Sequence, residues 1–286
     1  MSVTLGAVRV RAGIAAVAVV ALLGCRGAGG VAQPPAHEDL DAVLWYATAA
    51  EFRAASEQAY HWATIQLDAA LAPGNRSWTA ALEQGGEFAD LPPAVVLDID
   101  ECVLDTSDFQ SEMVRSGRPF DIESWNAWVR KEEAELIPGA LDFVAHAVER
   151  DVRVFFLTNR RFEVEQATLR NLARLGFPVD PDGVNLLTRG EDGDDDSDKT
   201  ARRASIASRY RIVLIVGDDL NDFLGETHVD SAARTALADR YRAWWGSKWI
   251  LIPNPIYGGW ERSIFYSNPP HTRDERLKRK YEALPD

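Results

Sequence analysis

Two carboxylates one residue apart, Asp98 and Asp100, follow the apolar run Ala94-Val95-Val96-Leu97. That run has the length and β-branched content of a buried strand. Acids set so closely beyond a strand repel one another and lose hydration unless something compensates them. A divalent cation removes the penalty and turns the pair into phosphoryl-transfer machinery. Other polar groups also follow apolar runs. Thr158, Asn159 and Arg160 come after residues 152–157, and Asp218, Asp219 and Asp222 after residues 212–216. Lys199 precedes the helical segment that feeds the second of these runs. The five histidines are scattered and call for no catalytic reading.

A parallel sheet is what must bring these groups together. Residues 40–72 read as one long helix or two, from the three-four spacing of Ala59, Trp62, Ala63, Gln66, Leu67, Ala70 and Leu71, with a stop at Pro73-Gly74. Residues 106–138 lack strand alternation and carry Trp125 and Trp128 one turn apart, which predicts a small helical insertion. Beyond it, helices are expected over 140–150, 162–175, 200–210 and 231–244, and strands over 152–157, 184–187, 212–216 and 249–252. Such alternation predicts an α/β fold with a parallel sheet flanked by helices on both faces. Ligands then bind beyond the carboxyl ends of the strands. Within the tail, 266–286, residues 274–281 are charged on most faces and predict a solvated helix.

The chain's start has its own logic. Arg9 and Arg11 precede an apolar stretch, 12–23, that is too short to span a bilayer. It closes on Leu22-Leu23-Gly24-Cys25, which resembles the bacterial lipobox. Residues 1–24 are thus expected to be a lipoprotein signal peptide, with Cys25 lipidated and anchoring the chain to a bacterial cell envelope, at the outer membrane where the host has one. An ordinary secretory signal with a coincidental cysteine is the plainer alternative. Residues 25–39 read as a tether. With Cys25 lipidated, Cys102 has no disulfide partner within the chain.

The formal net charge is −13, from 44 acidic and 31 basic side chains. This argues against binding nucleic acid through a basic surface. An acidic protein also repels phosphate esters at long range, so phosphate chemistry here requires a local cation.

The combination Asp98-x-Asp100, Thr158, Lys199 and Gly217-Asp218-x-x-x-Asp222 resembles the four motifs of the haloacid dehalogenase (HAD) superfamily. More closely, Val96-Leu97-Asp98-Ile99-Asp100-Glu101, Leu157-Thr158-Asn159-Arg160 and Val216-Gly217-Asp218-Asp219-Leu220-Asn221-Asp222-Phe223 are similar to the class C acid phosphatases, the lipoprotein e(P4) type. The segment 251–261, Leu-Ile-Pro-Asn-Pro-Ile-Tyr-Gly-Gly-Trp-Glu, fits the same family. The resemblance covers most of 40–265 and implies a HAD-like Rossmannoid phosphatase domain with a helical cap over about 106–138 and helices before the sheet. Three positions depart from the family pattern: Cys102, Phe109 and Asp219. The acidic run 191–198 is a local elaboration, read as solvated.

The resemblance implies a Mg²⁺-dependent acid phosphatase or 5′-nucleotidase acting on a phosphomonoester, with nucleoside monophosphates favoured. Asp98 is then the nucleophile, forming an aspartyl-phosphate, and Asp100 the acid that protonates the leaving oxygen and later activates water. Mg²⁺ is expected to take Asp98, Asp218, the Asp100 backbone carbonyl and water as oxygen ligands. Asp222 orients water or Lys199 from behind them, or is merely a helix-start acid. Thr158 holds a phosphoryl oxygen, and Lys199 neutralises the nucleophile and transferring group. Asn159 belongs to the substrate-binding set. Trp125 and Tyr257 match positions that flank a nucleobase, yet Trp125 and Trp128 at helical spacing equally suit cap core. Arg160 and Arg161 either draw in the anion or pair with acids. Two other readings share these features: a surface lipoprotein that binds a nucleotide without turnover, and a HAD phosphatase for sugar phosphates or phosphoprotein.

Overall fold

The computed structural model describes residues 37–191 and 196–285. The expected signal segment, Cys25 and most of the tether lie outside them, as does the centre of the acidic run. Among the described residues, no helix is long and apolar enough to cross a membrane.

The chain opens with α1 (Leu40–Thr48) and α2 (Ala50–Leu71), separated by a single extended residue, Ala49 (φ −77°, ψ 129°). Neither Gly nor Pro marks this break, which is why the sequence left one helix or two open. α2 buries Phe52, Ser56, Tyr60, Ala63, Leu67 and Ala70, a stripe rotated from the expected one. Trp62 stays 45% exposed, its indole N–H donating to the Gly246 carbonyl. The buried stripe is set by what packs on it. Gly139 approaches so closely that a Cβ there would lie 2.9 Å from the Tyr60 Cβ.

The central strand β1 (Pro93–Leu97) leads into the insertion: β2 (Leu104–Asp105), α3 (Ser107–Ser116), α4 (Ile122–Val129) and β3 (Glu135–Leu136). The two helices match expectation. The antiparallel β2–β3 pair beneath them does not, because two residues per strand leave no alternation to read. α3 ends at Gly117, whose φ of 66° suits glycine. α4 starts where the Asp121 carboxylate accepts the Ser124 N–H at 2.8 Å.

Then follow α5 (Ala140–Glu149), β4 (Arg153–Arg161), α6 (Glu165–Arg174), β5 (Leu186–Arg189), α7 (Thr200–Ala207), β6 (Arg211–Gly217), α8 (Ser231–Arg240) and β7 (Trp249–Leu251). The five long strands form one parallel sheet in the order β5-β4-β1-β6-β7. Successive residues of β1 face opposite layers. Val95 and Leu97 join the core beneath α2, α5, α6 and the cap, while Ala94 and Val96 join the one holding Ile206, Phe223 and Trp249. Both faces are therefore covered, which makes the strands continuously apolar rather than alternating.

Two helices close the chain, α9 (Gly259–Ile264) and α10 (Arg273–Glu282). α10 buries no residue, yet it is more than a solvated tail. Arg273 bonds Glu38 at 2.6 Å, Arg276 bonds Glu261 at 2.5 Å, and Lys280 lies 2.9 Å from Asp39 and 2.7 Å from Glu261. Its charges dock on specific acids from both ends of the chain.

Candidate active site

The sheet winds away from β1 in both directions, to β4 on one side and β6 on the other. That topology opens a crevice beyond the strand ends. Leu97 pairs with Val216, and the Asp98 N–H donates to the Val216 carbonyl at 3.0 Å. Asp98 and Asp218 thereby emerge side by side. The next residues carry the turn: Asp219 accepts the Asn221 N–H at 3.0 Å, and Asp222 folds back to accept the N–H groups of Asp218 (3.0 Å) and Asp219 (2.9 Å). Gly217 is required there, since a Cβ would collide with the Asp222 carboxylate.

Lys199, just before α7, is 3% exposed and donates to Asp98 Oδ1 and, at 2.6 Å, to Asp222 Oδ1. Burial works against its ammonium, but the Asp222 and Asp98 carboxylates overcome this and hold it above its ordinary value. Carboxylate oxygens of Asp98, Asp218 and Asp222 lie within 4.8 Å of one another. Burial pushes the Asp98 carboxyl up to about 7; Lys199 opposes the rise, and Asp222 and Asp100 add to it. Asp218 is raised well above its ordinary value by burial, then by Asp222, Asp98 and Glu101, although Asn254 Nδ2 donates to it at 2.7 Å. Three acids thus meet one ammonium, an excess of negative charge gathered on hard oxygen donors. This donor set fits a divalent cation such as Mg²⁺.

These groups open into a cavity of about 150 Å³, room for more than a few waters. Asp98, Asp100, Lys199, Asp218, Asp222, Asn159 and Tyr257 line it, so seven of the residues expected from sequence converge. Thr158 does not line it. The side chain is buried, and its Oγ1 accepts the Arg160 N–H at 3.0 Å. Nor does Trp125, whose ring packs on Phe109 (5.0 Å) and stacks on Trp128 (5.3 Å), so the cap-core reading describes its position.

Arg160, expected either to draw in the anion or to pair with acids, pairs with an acid here. It is 2% exposed, and its guanidinium grips Asp100 with Nε at 3.0 and 3.2 Å and Nη2 at 2.7 Å. β4 explains this. The strand runs on through Thr158–Arg161 instead of ending at 157, and its register against β5 shifts between Leu157 and Arg161. The irregular stretch turns Arg160 inward. Tyr257 also differs in part: it lines the cavity, but its hydroxyl is engaged by Glu101.

Several site residues escaped the sequence reading. Glu101, buried at a φ of 57°, ties Tyr257 to Thr106 at the cap's base. Arg202 donates to the Thr158 carbonyl (2.5 Å) and Asn159 Oδ1 (2.7 Å). Arg203 grips Glu83 and reaches the Asp222 carbonyl at 3.0 Å. Arg262 lines the cavity mouth. Glu101 and Asn254 lay inside motifs already singled out; nothing flagged Glu83. Asp219, the family departure, accepts from Gly259 N–H and lies 3.5 Å from Arg234. Burial pushes its carboxyl up, but Asn221 N–H, Arg234 and Gly259 N–H prevail and hold it low.

Residues 36–260 match the HAD superfamily, subfamily IIIB (acid phosphatase). The chain belongs to this family. Among solved structures it is similar to the class C acid phosphatase from Bacillus anthracis, with 32% identity and a TM-score of 0.74 over 87% of this chain and 97% of that one. A tungstate-bound structure of the Bacillus anthracis enzyme superposes with a TM-score of 0.75 at the same identity and coverage. Among curated proteins it is similar to the stem 28 kDa glycoprotein of Glycine max, 26% identical over 57% of this chain, and to a stem 31 kDa glycoprotein of the same plant, 27% identical over 46%. The matches span 58% and 45% of those two proteins. Family and solved neighbours support a phosphoric monoester hydrolase of the class C acid phosphatase type.

Proposed function

We propose that the protein is a Mg²⁺-dependent class C acid phosphatase that hydrolyses phosphomonoesters, nucleoside monophosphates foremost, at a bacterial cell envelope where Cys25 carries the lipid anchor. The observation that carries the chemistry is the convergence of Asp98, Asp218 and Lys199 beside Asp100 in one cavity. The Bacillus anthracis relative binds tungstate, an analogue of phosphate in shape and charge, which supports a phosphate-ester substrate.

Asp98 attacks phosphorus: an Oδ–P bond forms as the ester P–O bond breaks, and Asp100 gives its proton to the departing oxygen. Water then attacks the aspartyl-phosphate, Asp100 takes its proton, and the Asp98–P bond breaks to release inorganic phosphate. Lys199 holds Asp98 in place and offers positive charge to the phosphoryl oxygens. Asp222 holds Lys199 through the second arm of that contact. Asp98 and Asp218 would hold Mg²⁺, which would supply charge stabilisation for the transferring group. Asn159 and Tyr257 also line the cavity and are placed to meet the ester's organic part.

Phosphate release by EDTA-treated protein, measured with and without Mg²⁺ across nucleotides, sugar phosphates and phosphopeptides, tests this reading. Activity is expected to return with Mg²⁺, to be fastest on nucleotides, and to vanish in Asp98→Asn. Turnover untouched by EDTA, or a preference for phosphopeptides, refutes the corresponding part.

A further inference from the structure

The guanidinium of Arg160 is engaged on every side. Nε and Nη2 fork onto Asp100, Nη1 donates to Thr168 Oγ1 at 3.2 Å, and Trp125 covers it with its ring centroid 5.6 Å from Cζ. Trp125 is itself backed by Trp128, and Thr168 is fixed through its bond to the Val164 carbonyl at 3.0 Å. The backbone of Arg160 is pinned as well, by Thr158 Oγ1. A cation enclosed in this way is buried behind Asp100 and does not line the cavity. What it can do is orient. A planar fork matched to a carboxylate fixes direction as well as distance, which a point charge does not.

We propose that Arg160 is a positioning residue for the leaving-group step: it aims the Asp100 carboxyl at the ester oxygen, with Trp125 and Thr168 holding the guanidinium in its plane. This rests on Asp100 being the proton donor. The consequence is selective. An alkoxide leaves with difficulty unless its oxygen is protonated as the P–O bond breaks, whereas a nitrophenolate leaves without help. Loss of aim should therefore slow poor leaving groups and spare good ones.

The test compares kcat/KM, which reports steps through aspartyl-phosphate formation, on glycerol 2-phosphate and on 4-nitrophenyl phosphate. Arg160→Gln is expected to lose about 10- to 100-fold on the alkyl ester, a share of what a placed general acid contributes, and under about 3-fold on the aryl ester. Arg160→Lys should fall between, retaining charge without the fork. Thr168→Val, which removes the Nη1 partner together with that hydroxyl's bond to the Val164 carbonyl, should show the same selectivity at smaller size, and it decides the matter where Arg160→Gln fails to fold. Equal losses on both esters, or a raised KM with unchanged kcat, overturn the proposal; the latter would make Arg160 a substrate ligand. Asp100→Asn is the control. If it shows no leaving-group selectivity, the assignment of Asp100 fails, and that result is distinct from selectivity in Asp100→Asn without it in the Arg160 variants.

Discussion

Replacing Lys199 by methionine removes the ammonium that Asp98 and Asp222 share beside Asp218. The side chain is 3% exposed, and its partners Asp98 and Asp222 are 10% and 5% exposed. At the 2.6 Å separation from Asp222, unit charges attract by about 6 kcal/mol in an effective dielectric of about 20, before desolvation is subtracted. Deleting one partner of a buried pair costs about 3–5 kcal/mol, because the other charges remain uncompensated. For a domain of this size each kcal/mol moves the midpoint by roughly 2–4 °C, so Lys199→Met in EDTA should melt about 6–20 °C below the parent protein. Divalent cation should restore part of that difference, since the freed acids gain a substitute charge. The rise in melting temperature on adding Mg²⁺ should thus be larger in the variant than in the parent. Hydrolysis should still fall by about 10²-fold or more, as for other losses of a preorganised charge. Differential scanning fluorimetry at several Mg²⁺ concentrations, alongside phosphate release, reads all three quantities. Equal melting in EDTA, or equal metal-induced shifts, would refute the charge-sharing argument.

Other consequences are smaller. Glu83→Gln should weaken the Arg203 support of Asp222 and lower both the melting temperature and the apparent Mg²⁺ affinity, read by fluorimetry and metal titration; unchanged affinity would confine Glu83 to a structural role. Asp219→Asn keeps an acceptor for Asn221 N–H but loses charge opposite Arg234, so stability should fall by about 1 kcal/mol or less, with activity nearly retained. A denaturation curve displaced by several kcal/mol would contradict that. Glu38 has a pH signature. Burial raises its carboxyl, but its backbone hydrogen bond and Arg273 outweigh this and hold it below its ordinary 4.5. Its contribution is complete above pH 4.5 and is lost as pH falls through the folded value, so the melting temperature should decline more steeply below pH 4.5 in the parent than in Glu38→Gln. Parallel declines would show that the α10 contact contributes nothing. Finally, Cys25→Ala should abolish labelling by a radioactive fatty acid in a bacterial host, and persistent labelling would rule out that anchor.

The sheet and its acids were legible because a parallel strand buried on both faces must be continuously apolar, and its end must be polar where a ligand enters. Asp98, Asp100 and Asp218 follow from that rule and from spacing, whereas Lys199 precedes a helix and its role is what the family resemblance implies. Thr158, Trp125 and Arg160 show its limit. Their residue types fitted a substrate role, but where they point depends on the register shift in β4 and on cap packing, which are tertiary choices. The α2 stripe failed for a similar reason, since two three-four stripes on one helix differ only in which neighbour arrives. The tail helix buries no residue, as its charges suggest, but its ion-pair partners Glu38, Asp39 and Glu261 are not legible in the sequence because only the fold brings them near.

The disposition of cations bears on how so acidic a chain handles phosphate esters at all. Of the basic groups near the cavity, Lys199 is shared between Asp98 and Asp222, Arg160 is closed on Asp100, and Arg203 is closed on Glu83. Each of the three is already engaged by a carboxylate before a dianion arrives. Arg262, which lines the cavity and whose charge helps hold the Asp219 carboxyl low, and Arg202, which donates to Asn159 Oδ1, add positive charge nearby. These charges only partly offset the clustered carboxylates of Asp98, Asp218 and Asp222. The field that attracts substrate must therefore come mainly from the metal, so KM should respond to Mg²⁺ as strongly as kcat does. Phosphate-ester affinity that stayed constant in EDTA would place the attracting charge elsewhere.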